Sequence, residues 1–165
     1  MEKMTLFGLE PEPQTKKICL RSIRAIFSNE VIRENAPVWV KSTCTSAENV
    51  FELFRDLAKE AKENFVALHL DAKNRIIFCF DRVSIGSLSA SIVHPREVYK
   101  GALLSSAAAV LFIHNHPSGD TTPSREDIEM TKRLKDAGEL LGIRVLDHLI
   151  VGEEGYYSFA NNGVL

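Results

Sequence analysis

Cysteine is scarce in this 165-residue sequence: Cys19, Cys44 and Cys79 are scattered and form no CxxC pair. That excludes a zinc ribbon and a disulfide framework, and an odd, sparse count fits a reducing cytoplasm. No sign of charge dominates. Twenty Lys and Arg stand against 22 Asp and Glu, a net charge of −2, so there is no overall electrostatic footprint for nucleic acid, although a local basic patch stays open. No stretch approaches the ~20 apolar residues that cross a bilayer. Residues Met1 to Lys16 are polar and carry Pro11 and Pro13, which is not the composition of a signal peptide. Neither GxGxxG nor GxxxxGK[ST] occurs, so a Gly-rich phosphate cradle is excluded. Internal repeats and low-complexity tracts are absent too. The expectation is a soluble cytoplasmic protein without membrane association.

What is present is ordinary in bulk: 45% hydrophobic and 25% charged residues, enough chain for one domain with a real core. Residues 1–45 read as a partly ordered extension, and Lys17 to Lys41 fits short strands or a helix equally well. A helix is expected from Ser46 to Lys62. Thr45 and Glu48 have capping-box spacing, and Val50, Leu53, Phe54, Leu57, Ala58 and Ala61 make one stripe. Phe65–Leu70 reads as a buried strand, Asp71–Asn74 as a turn, and Arg75 to Val83 as the returning strand of a hairpin. Ser84 to Ser91 is Ser/Gly-rich, an irregular edge. Pro95 opens a short helix with Val98, Ala102 and Leu103 on one face. A strand over Ala107–Ile113 follows, then a helix from Ser124 to Leu141 with Ile128, Thr131, Leu134, Ala137, Leu140 and Leu141 facing inward, ended by Gly142. Arg144–Val151 is a further strand, and Gly152–Gly155 turns into Tyr156–Phe159. Strands and helices mix without strict alternation, which predicts helices packed on a mixed sheet.

The chemistry concentrates between Ile113 and Asp127. Alternate residues of an extended chain point the same way, so His114 and His116 can converge. Pro117 and Gly119 turn the chain, and Asp127 lies one turn into the helix from Ser124. Two imidazoles and one carboxylate supply three ligands and leave a fourth position open, the pattern of a catalytic zinc site; iron or manganese would accept the same set. Hydrolysis at such a site needs a base and an oxyanion donor. Ser124 is near by connectivity and is the candidate donor. Glu63 is the candidate base, placed where helix hands over to strand; Glu97, in the first turn of its helix, is the runner-up, though the helix dipole alone explains a carboxylate there. Plainer readings stand beside these. His-x-His is often only a loop feature, and Ser124 with Asp127 also fits a helix cap. His69 fits a satisfied sheet histidine, His94 a helix cap, and His148 a group supporting the metal ligands.

His114-x-His116, seven residues, Ser124, two residues and Asp127 resembles the JAMM (MPN+) signature of zinc metalloproteases at every defining position. The strings His114–Asp120, Pro123–Asp127, Leu146–Gly152 and His94–Glu97 resemble its bacterial RadC-like branch, over roughly Ser46 to Phe159. The resemblance implies a cytidine-deaminase-like α/β/α sandwich over residues 46–165, zinc on His114, His116 and Asp127, an upstream Glu base and Ser124 at the oxyanion. It implies a hydrolase that cleaves a peptide or isopeptide amide in a peptide or protein substrate. The alternative that the family name suggests is an accessory protein of DNA repair or mobile elements, binding nucleic acid or a partner around a structural metal. Longer members resemble this sequence only after a helix-hairpin-helix module. Residues 1–45 carry no hairpin-glycine pattern of that kind, which counts against direct DNA binding.

Overall fold

A computed structural model describes Met4–Thr5, Gly8–Leu9 and residues 42–85 and 93–165. The chain divides into two compact units, Met1–Glu30 and Val31–Leu165. In the first, β1 (Met4–Thr5) pairs antiparallel with β2 (Gly8–Leu9). The second unit carries a five-stranded sheet in the order β4-β3-β5-β6-β7. Its strands are β3 (Asn64–Leu70), β4 (Ile76–Ile85), β5 (Ala109–Asn115), β6 (Arg144–Val151) and β7 (Tyr156–Ser158). Only β5 and β6 run parallel; the other pairs are antiparallel. A parallel neighbour needs a crossover, and α3 (Arg125–Leu141) supplies it.

Both central strands are buried at every residue, β3 and β5 alike. Such strands read as continuous apolar runs because each face meets a helical layer. Val66, Leu68, Leu111, Ile113 and Leu149 join Val50, Phe51 and Phe54 of α1 (Ala47–Phe54) in one core. Phe65, Ala67, Val110 and Phe112 join Val98, Tyr99 and Ala102 of α2 (Pro95–Leu104), with Met130 and Leu134 of α3, in the other. The architecture is the expected α/β/α sandwich around a mixed sheet. Cys44 lies in the α1 core, where burial pushes its thiol up to about 11; it is no nucleophile at neutral pH.

Several boundaries differ from the sequence reading. The first helix is α-helical only to Phe54 and tightens into a 3-10 segment, Arg55–Lys59. Its cap is Ser46, whose side chain accepts from Asn49 N, and not Thr45. The central strand runs two residues further than expected, to Asn115, because polar His114 and Asn115 are fully buried there. His94 holds the N-cap position of α2 without a side-chain cap bond. His69 is buried in β3, its Nδ1 3.1 Å from Ser105 Oγ. On α3, Thr131 and Leu134 face inward as expected and Ala137 is partly buried, but Ile128, Leu140 and Leu141 are exposed, as is Leu103 of α2. The line that packs adds Asp127, Met130 and Gly138 to Thr131 and Leu134, and an apolar count passes over the acid and the glycine. The readings for Lys17 to Lys41 and for residues 86–91 lie outside the described residues.

Gly138 sets how closely α3 approaches α2. A Cβ there would lie 2.5 Å from the Tyr99 hydroxyl and 2.6 Å from the Ile143 carbonyl. That hydroxyl donates to the Leu134 carbonyl at 2.7 Å, so it cannot move without losing a buried hydrogen bond. Gly138→Ala should therefore destabilise by about 1–3 kcal/mol despite the better helix propensity of alanine. Urea unfolding of the two proteins measures this; equal midpoints would mean that the helices have room.

Candidate metal centre

Alternation along β5 sorts its side chains between layers. Val110, Phe112 and His114 face α2 and α3, while Leu111, Ile113 and Asn115 face the α1 side. His114 is fully buried at the strand end. The chain then turns: His116 N donates to Val151 O at 3.2 Å and Gly119 N to His116 O at 2.9 Å, with Gly119 left-handed at φ 81°. Gly152 opposes this loop so closely that a Cβ would sit 2.4 Å from Gly119 O. His116 Nδ1 donates to Asp120 O at 2.6 Å, which turns its Nε2 toward His114. Ser124 caps α3 in a reciprocal box: Ser124 Oγ accepts from Asp127 N at 3.1 Å, and Asp127 Oδ2 accepts from Ser124 N at 2.8 Å. The Ser124 hydroxyl also donates to Oδ2, at 2.6 Å.

These turns bring three groups to one point. His114 Nε2 lies 3.0 Å from His116 Nε2 and 3.3 Å from Asp127 Oδ1. His116 Nε2 lies 3.5 Å from Asp127 Oδ2. Two ligands of a tetrahedral zinc, each about 2.0–2.1 Å from it, stand ~3.3 Å apart, so the His114–His116 and His114–Asp127 separations suit such an ion, and one atom from each of the three residues lies within 4.8 Å of the others. The donor chemistry agrees. His116 gives its Nδ1 hydrogen to a carbonyl, so its neutral form presents a lone pair at Nε2 to an imidazole nitrogen and a carboxylate. Such a convergence of acceptors repels itself unless a proton or a cation sits between them. His114 is closed to solvent, whereas the His116 side chain is 18% exposed, so the site opens on the His116 side.

The electrostatics follow from burial and neighbours. Burial opposes ionisation of Asp127, but hydrogen bonds with His114, His116 and Ser124 outweigh it and hold the carboxyl well below its usual range. His116 binds its proton more tightly than a free imidazole, through the Asp127 hydrogen bond against some desolvation, then the Asp120 carbonyl and the charges of Asp127 and Glu63. Burial pushes His148 well below the ordinary histidine value, with His114 adding to the effect. His148 Nε2 is 2.8 Å from His114 Nδ1, and His148 Nδ1 is 2.7 Å from Thr131 Oγ1.

The RadC-like JAB domain family matches residues 44–164. The chain belongs to that family. It is similar to UPF0758 proteins from Syntrophotalea carbinolica, 56% identical over 122 residues, and Trichlorobacter lovleyi, 57% identical over 122 residues. Each match takes in 73% of this chain and 53% of the relative. The protein of that name from Methanosarcina mazei is 50% identical over 124 residues, 74% of this chain and 54% of the relative. The chain spans about half the length of the curated relatives it matches.

Within this JAB domain, His114, His116, Asp127 and Ser124 come together, while Glu63 is half-buried and its charge acts on His116. Glu97 does not join them. It is exposed and paired with Lys100 at 2.7 Å, on a groove shared with Leu140 and Leu141 at the far end of α3. Thirteen residues of helix separate Leu140 from Asp127, ~20 Å at 1.5 Å per residue. Asn115, which the sequence reading passed over, fixes the segment that carries Glu63. Its Oδ1 accepts from Asn64 N at 2.8 Å, and its Nδ2 donates to Glu60 O at 3.2 Å and Lys62 O at 3.1 Å. A polar residue between two histidines at a strand end was the available signal.

Two outcomes follow. Asn115→Leu leaves one backbone donor and two carbonyls without that partner, so it should cost ~2 kcal/mol or more while the three ligating side chains remain; unfolding and metal titration together check both halves. Cation binding must displace the His116 proton, which the fold holds more tightly than usual. Affinity should therefore fall as pH drops through that raised value, checked by zinc competition at about pH 6 and about pH 8. Equal affinity at both would remove His116 from the site.

Proposed function

We propose that this JAB domain is a zinc-dependent hydrolase of the JAMM type that cleaves a peptide or isopeptide amide. One observation carries the reading: His114, His116 and Asp127 offer ligand atoms within 4.8 Å of one another, with the separations from His114 suiting tetrahedral zinc. Zinc supplies Lewis acidity, lowering the pKa of water to about 7 and polarising a carbonyl. Glu63 takes a proton and returns it to the leaving amine, the one-carboxylate form of general base and acid. Support for this role comes from Asn115, which clamps the segment carrying Glu63 through Glu60, Lys62 and Asn64. Ser124 has a single hydroxyl hydrogen, engaged on Asp127 Oδ2. Rotation of that O–H toward the substrate oxygen leaves Oδ2 still paired with Ser124 N, so the donor can be lent without freeing the carboxylate. The substrate is a peptide or protein. The net charge of −2 lends no support to nucleic acid, which would show as DNA binding that weakens steeply with salt.

Elemental analysis of protein purified without added metal tests the centre. About one zinc per chain is expected, with His114→Ala and Asp127→Ala losing it. A panel of amide- and isopeptide-linked fluorogenic peptides then tests the chemistry. Glu63→Gln should keep its zinc and lose about 10²–10⁴-fold in turnover. Undiminished turnover in that variant would remove Glu63 from the mechanism, and a wild type that takes up no zinc at neutral pH would sink the hydrolase.

A further inference from the structure

Behind the ligand cluster stand His148 and Thr131, polar, fully inaccessible and unused by the proposed chemistry. His148 stands among rings, stacked on Phe159 at 4.7 Å between centroids and edge-on to Phe65 and Phe112. An apolar side chain would suit that cage without the cost of burying an imidazole, so its polarity needs a reason. The hydrogen-bond directions give one. Thr131 Oγ1 is 2.7 Å from the Asp127 carbonyl, which can only accept, so the single hydroxyl hydrogen goes there. Oγ1 must then accept from His148 Nδ1, and that nitrogen carries hydrogen. Neither ring nitrogen of His148 meets a carboxylate, since their partners are His114 Nδ1 and Thr131 Oγ1, so the buried ring is neutral and its Nε2 is an acceptor. The hydrogen between His148 Nε2 and His114 Nδ1 therefore belongs to His114.

We propose that Thr131 and His148 are positioning residues that hold His114 as its Nδ1-protonated tautomer, leaving Nε2 a bare lone pair aimed at His116 and Asp127. The tautomer of a ligating histidine is set by the partner of its other nitrogen. Here the partner is itself set one step further back, by a hydroxyl. The path also closes on itself. It runs from His114 through His148 and Thr131 to the backbone of Asp127, so a β5 ligand and an α3 ligand are joined behind the site. The consequence for metal rests on the zinc reading above; the tautomer does not, and is measured on metal-free protein.

Thr131→Val separates this role from packing, because it keeps the shape and removes the hydroxyl. Without an acceptor at Nδ1, His148 moves its hydrogen to Nε2 and donates to His114 Nδ1. That forces the His114 hydrogen onto Nε2, where a metal would sit. Long-range proton–nitrogen correlation spectra of the metal-free, labelled full chain report each tautomer. Wild type and Thr131→Ser should show His114 protonated at Nδ1, and Thr131→Val at Nε2. Zinc competition should show Thr131→Val and His148→Phe weakened by about 10–100-fold, with Thr131→Ser within about twofold of wild type. Circular dichroism confirms the fold, and the Thr131 pair decides the matter should His148→Phe not fold. Wild-type His114 protonated at Nε2 would overturn the proposal, as would a folded Thr131→Val with unchanged tautomer and affinity. Failure of wild type to bind zinc while His114 keeps its Nδ1 hydrogen would uphold the proposal and sink the metal reading instead.

Discussion

Strand β5 is buried on both faces along its whole length, and from that follows most of what the second unit does. Each side chain on such a strand must be satisfied by the layer it meets, apolar against apolar, polar against a hydrogen-bonding partner. For five residues the answer is packing. At His114 and Asn115 the apolar supply ends, and two consecutive polar groups enter opposite layers. His114 meets His148 and Asp127 on the α3 side; Asn115 meets the backbone around Glu60 to Asn64 on the other. One strand end thereby organises both the ligand cluster and the segment bearing Glu63. The parallel pairing with β6 completes it, since the α3 crossover returns the chain beside β5 and delivers Asp127 at the start of the helix.

Burying so many polar atoms is costly unless every one is paired. Here pairing is reciprocal where it can be. Ser124 and Asp127 cap each other's backbone, a local device worth having in any helix, and the same carboxylate faces the imidazoles. The plain reading of Ser124 and Asp127 as a helix cap and their reading as site residues are thus two descriptions of one geometry. Asp147 shows the purely structural counterpart: it accepts from His148 N, Ser158 Oγ and Ala160 N and ties β6 to the turn after β7.

Much of this was legible in the chain because the signals are local. The His-x-His spacing, the Pro117 and Gly119 break, the Ser124 cap and the left-handed Gly142 each act within a few residues. Strand β6 fell on its expected residues for the same reason, an apolar run bounded by glycines. What was not legible depends on partners far away in sequence. Thr131 reads only as an inward-facing helix residue until His148 is placed beside it, and Asn115 as a loop residue until Glu60 is. The inward face of α3 was right at Thr131 and Leu134 and wrong toward its end, because leucines were counted and Gly138 was not; the close fit of Gly138 against Tyr99 exists only in three dimensions. The first helix was drawn too long because the stripe through Leu57 continues across the 3-10 segment, which buries that leucine all the same.

The contact between Gly152 and the Gly119 carbonyl bears on how anything could enter. A backbone packed that tightly on its neighbour, and tied again through His116 N and the Asp120 carbonyl, has little freedom to surrender. One wall of the entrance is therefore a fixed jaw. A ligand meeting it incurs almost none of the ordering entropy that a flexible loop would exact. Any discrimination on that side would be of the lock-and-key kind, by shape already present, with adaptability left to the ligand or to the opposite side.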